Sequence, residues 1–221
     1  MNNSQKILNI ALAILILVGD ILYMTIGGLL IKSLTSICFV ALGAVNLIYA
    51  LKSKTPKRKF CIVMLVGLFF AMLGDILLEI EFVVGAALFA IGHIFYFAAY
   101  CTLSKFNPKN LIPSACIFVP VSLIILFVPI FDFGGTFMQI VCLVYALIIS
   151  LMVGKSISNL IKEKNFLNII LVVGSVLFMF SDFMLLFDVF ADVPRIFGIL
   201  CLSTYYPAEI LLAYSISKSE K

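Results

Sequence analysis

The sequence predicts an all-α polytopic membrane protein, a bundle of eight transmembrane helices forming a single integral membrane domain. Three observations predict it. Of the 221 residues, 64% are hydrophobic and only 12% are charged, about half the charged share of a soluble domain. A soluble core of this size cannot hide so much apolar side chain from water. The apolar residues fall into eight runs, each near the ~20 residues that cross a bilayer as a helix. The connections between them leave no room for a soluble domain. The same composition excludes a disordered chain and a secreted disulfide scaffold.

The spans are 7–26, 30–51, 60–79, 82–103, 111–130, 136–154, 166–187 and 196–216. The first has a long apolar run interrupted by Asp20 and no small-residue cleavage site. It reads as a retained helix rather than a signal peptide. Lys32 opens the second. The third carries Asp75 and Glu79, the fourth His93 and Tyr96. The seventh carries Asp182, and the eighth Tyr205, Tyr206 and Glu209. The six cysteines lie singly without CxxC spacing and read as small packing residues. One histidine, His93, cannot supply a three-histidine zinc site.

Charge orients the bundle. Lys6, the cluster Lys52 to Lys59, Lys105, Lys109, Lys155, Lys162, Lys164, Lys218 and Lys221 give 13 of the 15 basic residues to one side. The opposite side holds Glu79, Glu81, Asp132, Asp188 and Asp192 against Lys32 and Arg195. The positive-inside rule then places both termini in the cytoplasm. The net charge of +4 reflects this asymmetry, not a nucleic-acid partner. The partner it implies is the bilayer, whose anionic headgroups a basic rim attracts. Short connections and the lack of a targeting extension suggest a bacterial cytoplasmic membrane. Nothing in the sequence sets an oligomeric state.

The third and seventh helices resemble each other. Val66, Gly67, Met72, Asp75 and Leu78 match Val173, Gly174, Met179, Asp182 and Leu185 at an offset of 107. In the fourth and eighth, Gly85 and His93 fall on Gly198 and Tyr206. Two four-helix halves in the same orientation would produce this pattern.

Ionisable groups inside a bilayer cost about 2.5–3.5 kcal/mol each on insertion scales, so they mark candidate sites. Asp20, Asp75 and Asp182 lie at similar depth in the outer part of three outward-running helices. His93, Tyr206 and Glu209 lie nearer mid-membrane. Asp75 and Glu79 share a helix face at i,i+4; His93 and Tyr96, and Tyr206 and Glu209, do so at i,i+3. The simplest arrangement is a pocket open to the outer leaflet, with the aspartates in its upper wall and His, Tyr and Glu at its floor. Plainer readings exist for several: Asp20 as a snorkelling interfacial residue, Lys32 as an anchor, Glu79 and Glu81 as solvated loop-edge charges, and His93 as a structural histidine. Asp75 and Asp182 each interrupt a long apolar run and resist such a reading. No GxSxG, HExxH or glycine-rich phosphate loop occurs. Carboxylate acid–base chemistry, proton-linked transport and lipid binding without turnover remain.

The runs GLFFAMLGDILLE, GAALFAIGHIFY, GSVLFMFSDFMLL and STYYPAEILL, in this order, resemble the GD-x-x-L, G-x-x-x-F…H-x-x-Y, S-D-x-x-L and Y-x-x-A-Q-x-L patterns of the YhhN family. Lys32, in IKSLTS, stands where that family has a Lys-Pro element. Here Ser33 replaces the proline and Glu209 the glutamine. The family includes lysoplasmalogenases. The resemblance implies a lysophospholipid substrate, hydrolysis of its vinyl-ether bond to a fatty aldehyde and a glycerophospho-base, and no cofactor or metal. It implies Asp75 and Asp182 as catalytic residues. Lys32, His93, Tyr96, Tyr206, Glu209 and Asp20 would line the substrate site. Vinyl ethers hydrolyse in acid, so the reaction needs one carboxylic acid to protonate carbon and one carboxylate to activate water. We expect Asp182 as the acid and Asp75 as the base.

Overall fold

A computed structural model describes residues 3–219. Among these residues, eight helices are long and apolar enough to cross a membrane, and the protein is an integral membrane protein. The helices are α1 (Asn3–Ile26), α2 (Leu29–Lys52), α3 (Arg58–Leu78), α4 (Phe82–Leu103), α5 (Leu111–Phe127), α6 (Thr136–Lys162), α7 (Phe166–Phe190) and α8 (Ile196–Ser215). The apolar runs make them helices, because a backbone in lipid must satisfy its own hydrogen bonds. Extensive lipid-facing apolar surface remains exposed, as at Ile7, Leu30 and Phe137.

Gly27 and Gly28, both at positive φ (74° and 101°), turn the chain from α1 into α2 in two residues. Pro129 ends α5 early, since the residue before a proline avoids the helical region. α6 continues eight residues past the apolar run that suggested it. Its added turns are polar, and Lys155, Ser156 and Asn159 in them are buried. Lys155, expected in a connection, lies inside α6 and is fully buried, bonding the Lys105 carbonyl at 3.3 Å and Asn110 Oδ1 at 3.2 Å.

The connections sort onto two ends. At the basic end, Thr55 bonds the Ser219 carbonyl and Lys162 bonds Ser104. Lys221, counted with that end from sequence, lies outside the described residues. At the acidic end, Arg195 bonds the Met24 carbonyl, and Asp132 N–H bonds the Phe190 carbonyl beside an isolated bridge between Phe131 and Ala191.

Packing repeats in the order the sequence offset predicts. α3 with α4, and α7 with α8, are the two most extensive helix pairs, and α1 with α2 mirrors α5 with α6. The match is imperfect, since α1 also packs on α8 while α5 lacks the corresponding contact to α4. Gly67 explains one close pair. A side chain there would meet the Tyr96 ring at 2.5 Å, so glycine lets α4 approach and fixes that ring. Gly174 does the same in the second half, against Leu212 and the Ala208 carbonyl.

Candidate active site

Near the acidic end, a cavity of about 510 Å³ opens among α1, α2, α3, α4, α7 and α8. Asp75 and Asp182 both line it, with Lys32, Glu79, Tyr23 and Arg195.

Asp75 sits in the last turn of α3 and is 3% exposed. Lys32, in the first turn of α2, reaches down to it. Its ammonium lies 3.3 Å from Asp75 Oδ1 and 3.0 Å from Glu79 Oε1. One cation reaches both because the carboxylates are one helical turn apart. Ser36, one turn beyond Lys32, donates to Asp75 Oδ2. The Tyr206 hydroxyl donates to the same oxygen at 3.0 Å. The Tyr23 hydroxyl donates to Glu79, and Lys32 lies over the Tyr23 ring at 5.3 Å. Burial pushes the Glu79 carboxyl up, but the Tyr23 hydroxyl and the Lys32 ammonium outweigh it and hold the group below the usual carboxylate range.

Asp182 has no cation of this kind. Tyr145 of α6 donates to its Oδ2 at 2.7 Å. His93 Nε2 lies 3.2 Å from that oxygen and 2.9 Å from the Tyr145 hydroxyl. The His93 ring stands edge-on to Phe178, 4.6 Å between centroids. Its Nδ1 is buried without a partner among the described residues. Asp182 also borders a second, apolar cavity of about 330 Å³.

Each aspartate is thus held from its own half, by α2 or α6, and also from the opposite half. His93 of α4 meets Asp182 of α7, and Tyr206 of α8 meets Asp75 of α3. These partners are the residues matched by the internal similarity.

The structure changes several expectations. His93 and Tyr206 do not form the pocket floor; they stand behind the aspartates and bond them. Glu209 and Tyr96 are also absent from the cavity wall. They pair with each other at 2.8 Å, fully buried. Counting residues along a span gives depth, but not the direction in which a side chain points. Asp20 does not snorkel: it is 3% exposed, its Oδ1 has no partner among the described residues, and it lies outside the cavity lining. Glu79 is no loosely solvated loop charge, being tied to Lys32 and Tyr23.

Sequence reasoning missed Ser36, Tyr23, Tyr145 and Arg195. Ser36 had a signal, one turn from Lys32 on the same face. Tyr145 had a weaker one: a hydroxyl in an apolar run needs a partner when buried. Among the described residues no three of His, Cys, Asp and Glu gather as a metal-ligand set.

Fold and site together define an integral membrane protein with two carboxylates from separate halves opening on one internal cavity. The chain belongs to the YhhN family, whose model matches residues 27–216. That match takes in every residue bonded to either aspartate. No curated protein and no solved structure matches the chain.

Proposed function

We propose that the protein is a lysoplasmalogenase-like hydrolase that cleaves the vinyl-ether bond of a lysophospholipid. One observation carries the reading: Asp75 and Asp182 share a cavity wall but have unequal partners. Asp75, with a lysine and two hydroxyl donors, suits a carboxylate. Asp182 has no lysine, and its Oδ1 makes no hydrogen bond among the described residues. It suits the group that carries a proton.

The proton of Asp182 passes to the alkenyl carbon farther from the ether oxygen, and the C=C pair forms the new C–H bond. The adjacent carbon becomes an oxocarbenium ion, which the Asp75 carboxylate stabilises. Asp75 takes a proton from water as the water oxygen adds to that carbon. Asp182 then removes the hydroxyl proton of the hemiacetal, while Asp75 returns its proton to the departing glycerol oxygen. Aldehyde and alcohol leave, and both carboxyls regain their starting states. No redox step arises. Arg195, exposed in the cavity lining, would meet the phosphodiester.

The test is aldehyde release by purified protein from lysoplasmenylethanolamine and lysoplasmenylcholine, beside the matching ester lysolipid. Aldehyde from the vinyl ethers alone is the expected result. Fatty acid from the ester would demand a different nucleophile. No product from any substrate would overturn the hydrolase reading in favour of a carrier or a lipid binder.

A further inference from the structure

The polar cavity does not end at Asp182. Leu78, Phe82, Phe89, Asp182 and Leu185 are shared between it and the apolar cavity beyond. That second space runs between α5, α6 and α7, past Val121, Ile125, Ala146, Ile149, Val176 and Phe180. We propose that it holds the hydrocarbon tail of a one-tailed phospholipid, with Asp182 at the junction of tail and glycerol. The proposal deepens the hydrolase reading, on which it rests for the position of the scissile bond.

Three features point to a tail rather than to packing left incomplete. The space joins a polar cavity fitted for a headgroup, so one amphipathic molecule can fill both. It also opens sideways. Val176 and Phe180 are 39% and 40% exposed on the lipid-facing side of α7. α5 packs on α6 without a comparable contact to α7, which leaves a seam between them. A tail can slide through that seam from the bilayer, and its far end can trail back into lipid. Third, Ser150 at the deep end is 1% exposed, and its Oγ has no hydrogen-bond partner among the described residues. A small side chain there leaves room where a leucine would close the space. From Asp182 to Val176 is six residues of α7, a depth of about 9 Å. Only the part of the chain nearest the glycerol is therefore enclosed.

The probe is a saturated 1-O-alkyl lysophosphatidylethanolamine, which has no vinyl ether to cleave. It carries a photoactivatable diazirine on the half of the chain nearer the glycerol. In nanodiscs, the expected labels fall on residues 145–150 and 176–183, and excess unlabelled lipid competes them away. Ala146→Phe fills the space and reduces this labelling roughly tenfold, in line with the cost of overpacking. Val176→Trp, at an exposed position that a folded protein tolerates, narrows the seam and does likewise. Labelling of Ile10 and Ile14 on the lipid-facing side of α1 stays constant. Uncompeted label spread over lipid-facing helices, unchanged in both variants, would overturn the tail site. The two readings fail separately. Competed label without aldehyde release removes the hydrolase and keeps the tail site; aldehyde release with uncompeted label does the reverse.

Discussion

The two aspartates occupy matching places in matching helices, yet their surroundings differ. Asp75 lies in a charged corner: a lysine at 3.3 Å, a second carboxylate one turn away, and two hydroxyl donors. Asp182 has a tyrosine, a histidine and an apolar cavity at its side. The residue one turn past Asp75 is Glu79, and the residue one turn past Asp182 is Leu186. The difference shows how a near-symmetric scaffold can surround two equivalent carboxyls unequally, as the proposed base and acid roles require. Acid and base catalysis in one turnover requires the two groups to be unequal.

The largest expected effects come from removing either charge. Asp75→Asn and Asp182→Asn should each lower aldehyde release by about 10³-fold or more, within the usual range for a lost acid or base. Their stabilities should diverge. Asp75→Asn removes the buried one of the two carboxylates on the Lys32 ammonium and leaves it the half-exposed Glu79, so the loss should approach but not reach the about 3–5 kcal/mol of a fully unpaired buried ion. Asp182→Asn unpairs no ammonium and should melt close to the parent. Equal melting temperatures for the two variants would erase the distinction drawn here, and near-normal turnover in either would remove the pair from catalysis.

Lys32→Met sharpens the same contrast. Alone it strands Asp75, so melting temperature and turnover should both drop. Combined with Asp75→Asn it should recover most of the lost stability, because no buried charge is then left unpaired, while Glu79 keeps Tyr23 and solvent. Turnover should not return. A double variant as unstable as the sum of its parents would show that the pair is not coupled.

On the Asp182 side, Tyr145→Phe removes one donor and no charge. Turnover should fall roughly tenfold, the worth of about 1.4 kcal/mol. Melting should change little, since the ring keeps its place against His93 (centroids 5.5 Å apart). An unchanged pH profile together with full turnover would make Tyr145 a packing residue only.

The eight helices were legible because bilayer spans depend on apolar length alone, which a sequence displays directly. Asp75 and Asp182 were legible for the converse reason: each breaks such a run. Azimuth was hidden. His93, Tyr206 and Glu209 had the right depth, but whether each faced the cavity or a neighbouring helix depends on packing. The hydroxyls were quieter still. Ser36 and Tyr145 add little to hydropathy, so only the spacing from Lys32 and the need of a buried hydroxyl for a partner marked them. Lys155 misled because polarity was taken as the end of a span, whereas the chain from Lys105 to Asn110 folds back to satisfy its ammonium.

The smallest effect concerns Glu79, the charge that only the Asp75 side possesses. Its folded state favours the ionised form, so the group contributes stability above the ordinary glutamate value of about 4.3. That contribution should fade as pH falls through the lower folded value. The side chain is 37% exposed, so solvent limits the gain to under about 1 kcal/mol. Melting temperature should therefore hold steady from neutral pH to about 5 and decline below about 4.3. Glu79→Gln should flatten the lower limb. Tyr23→Phe should shorten the limb and reduce its amplitude, because the carboxylate loses one of the two groups that favour it and its folded value moves up toward the ordinary one. Leu186 offers nothing to titrate, so Leu186→Ala should leave the limb where it is. A limb that ignores Glu79→Gln would assign the acid sensitivity to another carboxyl and leave Lys32 paired in effect with Asp75 alone.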